Sequence, residues 1–483
     1  MRNERAGTHP RDGGRALPDL SMGRRRIHIV GAGGANMNAL ATVLVEMGHE
    51  VSGSDQQASP ALSRLAALGV RTFVGHSAEN LGEAELVAFS AAVGEDNVEL
   101  TKARGRGLTL LTRAELEAAV CRLRRTVAVS GTHGKTTTTA MLAAVFEGAG
   151  AAPAFLVGGD LAGGRPGAQW GSGQWLVVEA DESDGTFLRL PAEAVVVTSA
   201  EADHLDHFGD VATIEAAFAE FVSQAPGPKV VCADDPGAAR VAAKLRGLPG
   251  LATYGTDDGA SYRVSSVELK AGSSHFRVDR QQAVGTPSYG LGCFDLAVPG
   301  LHNVLDATAA IAMGDQLDVP AAASSAALGA FRAVARRFEL RGEVRGITYV
   351  DDYAHNPGKV RAAVATARNG GWRRVVAVFQ PHRYSRTEAL WRELGAALSA
   401  ADVVVVTGVY AAGEASRPGV SGRMVADAAR DAREGLVVYY EEDRGALRAL
   451  LSKLLVPGDL CLTMGAGDLT GLPDELLAGE GQR

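Results

Sequence analysis

Residues 126–139 read TVAVSGTHGKTTTT, and this stretch decides how the chain is read. Thr126 to Ser130 is an apolar run of strand length, the glycines at 131 and 134 bound a turn, and Lys135 opens a run that suits a helix. A strand that feeds a glycine turn and then a helix aims backbone N–H groups at one point. The helix N-terminus adds partial positive charge and Lys135 a full one, so the segment is built to cradle phosphate. Thr136 adds a hydroxyl suited to Mg²⁺. The standard phosphate loop has a glycine five residues before Gly134, where this chain has Val129, so the motif is a shortened variant. Glycine and threonine also fill ordinary turns, but Lys-Thr at the start of a helix after a buried strand favours nucleotide phosphate.

The chain has 483 residues, more than one hydrophobic core serves, and two or three domains are expected. A formal net charge of -8 argues against a nucleic-acid partner. Cys121, Cys232, Cys293 and Cys461 are far apart with no CxxC pair. Neither a zinc site nor a disulfide framework is indicated, and a reducing cytoplasm fits. The first residues are rich in Arg, Gly and Pro without an apolar segment, so residues 1–24 are expected to be a disordered tail. Apolar runs such as VVVV at 403–406 have strand length and none could span a membrane.

Outward from the cradle, three stretches alternate strand and helix signals, which predicts an α/β protein with mostly parallel sheets. The first, residues 25–125, opens with RRIHIVGAGGANMNALATVLVEMGHEVSGSD at 25–55. Its strand, glycine turn, helix and second strand ending in an acid resemble a dinucleotide-binding unit, with Gly31, Gly33 and Gly34 at the turn and Asp55 where a ribose-reading acid sits. The same turn suits any diphosphate, including that of a nucleotide sugar. The second stretch, 126–337, carries the cradle and the strands WLVVEAD, AVVVTSAEADH and KVVCADDP. Between Tyr254 and Pro299 short alternating runs predict an antiparallel extension, and helices are expected over 303–316 and 321–334. The third, 338–483, gives strands GITYVDD, RRVVAVFQ, DVVVVTG, GLVVYY and DLCLTMGAG, a second Rossmann-like sheet.

In open parallel sheets ligands gather beyond the carboxyl ends of the strands. Glu179, Asp181, Glu182 and Asp184 follow one strand, and Glu201, Asp203, His204 and Asp206 follow another. Acids beside a phosphate cradle suggest Mg²⁺, though helix caps and loop charges would give the same pattern. Asn303 could bond an adenosine or simply cap a helix. Arg336 and Arg337 lie where one stretch joins the next, and an arginine entering from a neighbouring domain can neutralise charge on a transferred phosphoryl group. VDDYAHNP at 350–357 and FQPHRYSRT at 379–387 form a plausible pocket for a small zwitterion.

Taken in order, HIVGAGGANM, VSGSD, GTHGKTTTT, VEADESDGTF, EADHLDH, PGLHN, RRFEL, DDYAHNP, FQPHRYSRT and TMGAGD resemble the Mur ligase family along nearly the whole chain. The resemblance implies ATP-dependent amide synthesis through an acyl phosphate, with a UDP-sugar-binding first domain, a central ATPase and an amino-acid-binding third domain. It implies UDP-N-acetylmuramate and L-alanine as small-molecule substrates, ATP and Mg²⁺ as cofactors, and a monomer or weak homodimer. Catalytic roles fall on Lys135, Glu179, His204, Arg337 and Asp352, and Mg²⁺ ligands on Thr136, Glu179 and His204. ATP contacts fall on Gly131, Thr132, His133, Gly134, Lys135, Thr136, Thr137 and Asn303. Uridine-side contacts fall on Asp55 and His76, beside the Gly31, Gly33 and Gly34 turn, and amino-acid recognition on Tyr353, His355, His382 and Arg383.

The chain departs from the family pattern at Asn36, Ser199, Ala335, Asn356 and Asp306. Asp306 stands where a second adenosine-side asparagine is expected, and an acid there is unhelpful unless it faces away. These departures leave open a related ligase acting on another carboxylate, or a non-catalytic nucleotide-sugar sensor.

Overall fold

The structure is a computed structural model that describes residues 17–201, 205–270, 272–281 and 289–480. It divides into two compact units, one running to Arg125 with Arg189–Pro191 added, the other comprising Thr126–Leu188 and the chain from Ala192 onward.

The first unit is built on five parallel strands in the order Arg71–Val74, Glu50–Asp55, Arg26–Val30, Leu86–Phe89, Thr109–Thr112. The central strand RIHIV is buried on both faces, as a parallel strand covered by helices must be. That burial takes in His28 along with Ile27, Ile29 and Val30. The chain then turns at Gly31, whose φ of 84° is open to glycine and strained for other residues, and enters the helix Ala35–Glu46. Asn36 lies within this helix and is exposed, so it takes no left-handed conformation at the turn.

The second unit holds two sheets. A ten-stranded one starts from the pair Ala168–Gln169 and Ala154–Leu156, passes through Trp175–Glu179, Arg125–Ser130, Ala194–Val197, Lys229–Cys232 and Leu251–Gly255, and ends in Tyr262–Leu269, Ser274–Arg280 and Tyr289–Leu296. The last three are antiparallel to one another, as the alternating sequence predicts. The expected helices are present as Leu301–Gln316 and Ala321–Ala330. The second is shorter than its sequence suggests, because Phe331 turns extended and Val334 bridges to Leu161.

The six-stranded sheet runs Glu339–Val344, Ile347–Asp352, Asp459–Met464, Arg374–Phe379, Val403–Val406, Val437–Tyr440. Two apolar clusters cover its faces. Glu339–Val344 pairs antiparallel with its neighbour and is absent from the sequence reading. It is an edge strand with Leu340 exposed, and ELRGEV carries no apolar alternation to announce it. Among the described residues no helix is long and apolar enough to cross a membrane.

Close packing of small residues brings the nucleotide-loop helix Lys135–Gly148 against Leu301–Gln316. A Cβ on Gly314 would lie 3.2 Å from Val145 Cγ1, and the other end of the loop helix meets Ala321–Ala330, where a Cβ on Gly148 would lie 3.0 Å from Ala327 Cβ. This approach places Asn303 and Asp306 beside the cradle.

Candidate active site

The cradle forms at the carboxyl end of Arg125–Ser130, with Gly131 at φ 139° and Gly134 at φ 80°. Gly134 has no room for a side chain, since a Cβ there would lie 2.4 Å from Asp306 Oδ1. Ser199 explains its own departure from the family pattern: its Oγ accepts from His133 N at 2.8 Å and its carbonyl from Thr132 N at 3.2 Å, pinning the loop. His133 Nε2 lies 3.0 Å from Glu201 Oε2.

Lys135 is largely buried, its Nζ donating to Gly131 O at 2.7 Å and lying 2.7 Å from Glu182 Oε2. Burial works against the ammonium, but Glu182, Glu179 and Asp181 outweigh it, and the Lys135 pKa rises above the ordinary lysine value. The acids divide into two kinds. Glu179 accepts from Thr136 Oγ1 at 3.0 Å and Gly158 N at 2.8 Å, and with Glu182 it faces the cradle. Asp181 accepts from Ser183 N and Asp184 from Thr186 N, which are loop caps. Glu182, the nearest partner of Lys135, is absent from the list of residues that the family resemblance assigns, although VEADESD contains it. Asp203 and His204 lie outside the described residues, and nothing about the roles expected of His204 can be read from the structure.

Arg337 reaches the same point, its NH2 donating to Thr136 Oγ1 at 3.3 Å. It sits between two residues in left-handed backbone, Arg336 at φ 62° and Phe338 at φ 47°. Such conformations cost about 1–3 kcal/mol each and persist where surrounding contacts enforce them. Asp352 supplies that enforcement, accepting from Phe338 N at 2.8 Å and Ala354 N at 2.7 Å. Burial raises its pKa, opposed by Arg337 and these two N–H groups.

A cavity of about 520 Å³ opens over the loop, lined by Lys135, Thr136, Glu179, Tyr254, Asn303 and Arg337 among others. Asn303 is buried and donates Nδ2 to Pro299 O at 2.6 Å, which leaves its oxygen for other contacts. Asp306 does not face away. It lines the cavity beneath Gly134, accepts from Thr138 Oγ1 at 3.1 Å, and burial lifts its pKa to about 7 against the pull of Thr138 and Arg337. The acid that the sequence makes unhelpful is therefore about half protonated at neutral pH. His302, which the PGLHN segment places one residue before Asn303, is also in the lining, its Nδ1 3.3 Å from Thr366 Oγ1.

At the six-stranded sheet the expected amino-acid group assembles as a ring cluster. Tyr353 and His355 meet edge to face at 5.1 Å, His355 lies 5.8 Å from His382, and His382 stacks on Tyr410 at 5.7 Å. Arg336 and Arg337 lie over the Tyr353 ring at 4.8 and 5.4 Å. Burial first, and Lys359 next, push His355 down to about 2; burial and Arg386 push His382 down to about 4. Arg383 takes φ 67° at the start of the helix Tyr384–Leu398, held by its N–H to Tyr410 O at 2.8 Å. Tyr410 follows the strand Val403–Val406 and was missed in the sequence, since its loop shows no cluster of polar residues. Asn356 caps Pro357–Asn369 by accepting from Lys359 N at 2.9 Å, a sufficient reason for asparagine there.

In the first unit Gly33 N donates to Asp55 Oδ2 at 2.8 Å, so Asp55 closes the glycine turn with one oxygen. His76 lies beside Ser54, on the same strand as Asp55.

Fold and cradle define a class: an α/β protein carrying a lysine-tipped phosphate loop at the end of a parallel strand. The chain belongs to the Mur ligase family. Profiles described as "Mur ligase family, catalytic domain", "Mur ligase middle domain" and "Mur ligase, glutamate ligase domain" match residues 26–125, 171–314 and 336–467. It is 44 % identical over 448 residues to a UDP-N-acetylmuramate–L-alanine ligase of Solidesulfovibrio magneticus, covering 92 % of this chain and 96 % of that one. It is 42 % identical to the protein of the same name from Myxococcus xanthus, covering 94 % of each. Among solved structures it resembles UDP-N-acetylmuramate-alanine ligase MurC from Thermotoga maritima, with a TM-score of 0.79, 29 % identity and coverage of 95 % and 100 %.

Proposed function

We propose that the protein joins L-alanine to the carboxylate of UDP-N-acetylmuramate at the expense of ATP, in the synthesis of peptidoglycan precursors. The observation that carries this reading is the convergence of Lys135, Thr136, Glu179 and Arg337 on one point beside the cavity. Relatives more than 40 % identical along nearly their whole length bear the corresponding name.

A carboxylate does not react with an amine directly, because the leaving group would be oxide; phosphorylation replaces that group with phosphate. Gly131 to Thr136 hold the triphosphate, and Lys135, held in the loop by Gly131 O and the Glu182 carboxylate, offsets the repulsion between two anions. The oxygen pair Thr136 Oγ1 and Glu179 Oε1 suits Mg²⁺, which takes a carboxylate and phosphate oxygens and keeps waters. When bound there, Mg²⁺ would supply further charge neutralisation. Arg337 adds positive charge where the phosphoryl group moves, and Asp352 fixes the turn that aims it. Neutral His355 and His382, with Tyr353 and Arg383, form the site offered to the amino acid, and Asp55 and His76 contact the uridine side.

Purified protein incubated with ATP, Mg²⁺, UDP-N-acetylmuramate and single amino acids tests the reading. ADP and a product heavier than the sugar by one alanine residue are expected. Folded protein that gives neither with any amino acid overturns it.

A further inference from the structure

The first unit contains a buried carboxylate to which no role has been given. Glu99, in the helix Val98–Gly105, is fully buried. Its Oε1 accepts from Asn80 Nδ2 at 2.6 Å and Ser77 N at 3.3 Å. Its Oε2 accepts from Ser54 Oγ at 2.6 Å and lies 3.2 Å from His76 Nδ1, with His28 Nε2 at 3.6 Å. Burial would raise this carboxyl, but its contacts with His28, Ser54 and Asn80 outweigh burial and hold it down at about 2. A carboxylate is therefore present at every working pH.

These bonds decide where the proton of His76 sits. A neutral imidazole carries N–H on one nitrogen and a lone pair on the other. Nδ1 of His76 faces Glu99 Oε2 at 3.2 Å and Ser54 Oγ at 3.3 Å. The one hydroxyl proton of Ser54 is directed at Glu99, so both neighbours of Nδ1 can only accept. Nδ1 must be the donor, and the lone pair falls on Nε2 of this partly exposed ring.

We propose that Glu99 is a positioning residue that locks His76 in its Nδ1–H tautomer, so that Nε2 presents an acceptor to an N–H or O–H donor of the uridine moiety. The proposal rests on the reading above that His76 contacts the nucleotide sugar, and adds the polarity of that contact.

Glu99→Gln inverts the arrangement without changing its shape. Asn80 uses both its N–H groups, on Glu99 and on Gly75 O at 3.1 Å, and so continues to present a donor to the Oε1 position. The new amide NH₂ must then take the place of Oε2, where it donates to His76 Nδ1 and drives the ring proton to Nε2. The outward acceptor becomes a donor.

The test uses the full chain with ¹⁵N-labelled histidine, the His76 signals being assigned by their loss in His76→Gln. Two-bond ¹H–¹⁵N spectra should show the Nδ1–H tautomer in the parent and Nε2–H in E99Q. The Michaelis constant for the nucleotide sugar should rise about tenfold, as for a hydrogen bond whose polarity is mismatched, with that for ATP unchanged. A parent His76 carrying a proton on Nε2 overturns the proposal even if E99Q does not fold. So does an E99Q protein with unchanged tautomer and unchanged sugar constant. His76→Ala separates the two layers: if the sugar constant does not move, the uridine contact is refuted, whatever the tautomer.

Discussion

Asp306→Asn perturbs the acid under the phosphate loop, and its effect on stability follows from where that acid sits. The carboxyl titrates at about 7 in the folded chain against an ordinary value of 3.8, because burial disfavours its charge more than Thr138 and Arg337 favour it. Below pH 4 both folded and unfolded chains hold the proton, and there is no penalty. Between pH 4 and 7 the unfolded chain releases the proton while the folded chain keeps it, so stability falls as pH rises; above 7 the penalty is constant. At 1.36 kcal/mol per pH unit, the full penalty is roughly 4 kcal/mol, of which about 3 kcal/mol develops above pH 5. Asparagine keeps the oxygen that accepts from Thr138 and carries no charge, so it removes the penalty. Urea unfolding midpoints of parent and D306N, compared from pH 5 to 8.5, should diverge as pH rises, with the variant the more stable, and the gap should level off above 7. A gap that does not change with pH refutes the reasoning.

Lys135→Ala should lower ADP formation by about a thousandfold or more, since it removes the charge aimed at the transferred group, while calorimetric binding of the nucleotide sugar persists. Gly134→Ala places a methyl group 2.4 Å from Asp306 Oδ1 in a left-handed conformation, and should lower thermal stability by about 1–3 kcal/mol and weaken ATP binding in fluorescence titration. Asp352→Ala leaves Phe338 N and Ala354 N unpaired and relaxes the turn around Arg337. The turnover number should drop by at least tenfold with little change in the sugar Michaelis constant, as steady-state assays would show. His355 and His382 titrate at about 2 and 4, so both stay neutral down to about pH 5; His382→Gln should leave the acid limb of the pH–rate profile in place.

The parallel cores were legible because strands buried on both faces read as continuous apolar runs, and the cradle because strand, glycines and Lys-Thr stand contiguous in the chain. Glu339–Val344 was not legible, for an edge strand with one wet face lacks that signal. Lys135, Glu179 and Arg337 come together around Thr136 and the phosphate loop. The dependence of Arg337 on Asp352 as a backbone anchor is different in kind, since it comes from a turn 14 residues distant in sequence and leaves no mark in composition. Asp306 shows the same limit: its residue type suggested repulsion, while its burial, a property of packing between two helices, sets its charge. Tyr410 belongs to its cluster through loop geometry that no local pattern encodes, whereas Glu182 stands in the strand-end acid run and only its pairing with Lys135 needs the fold.

Transfer of oxygen from the sugar carboxylate to phosphate tests the central claim most directly. UDP-N-acetylmuramate labelled with ¹⁸O in its carboxylate, turned over with ATP and L-alanine, should yield inorganic phosphate carrying one ¹⁸O for each amide formed. Amide formation accompanied by unlabelled phosphate would contradict activation of the acid by phosphoryl transfer at Lys135.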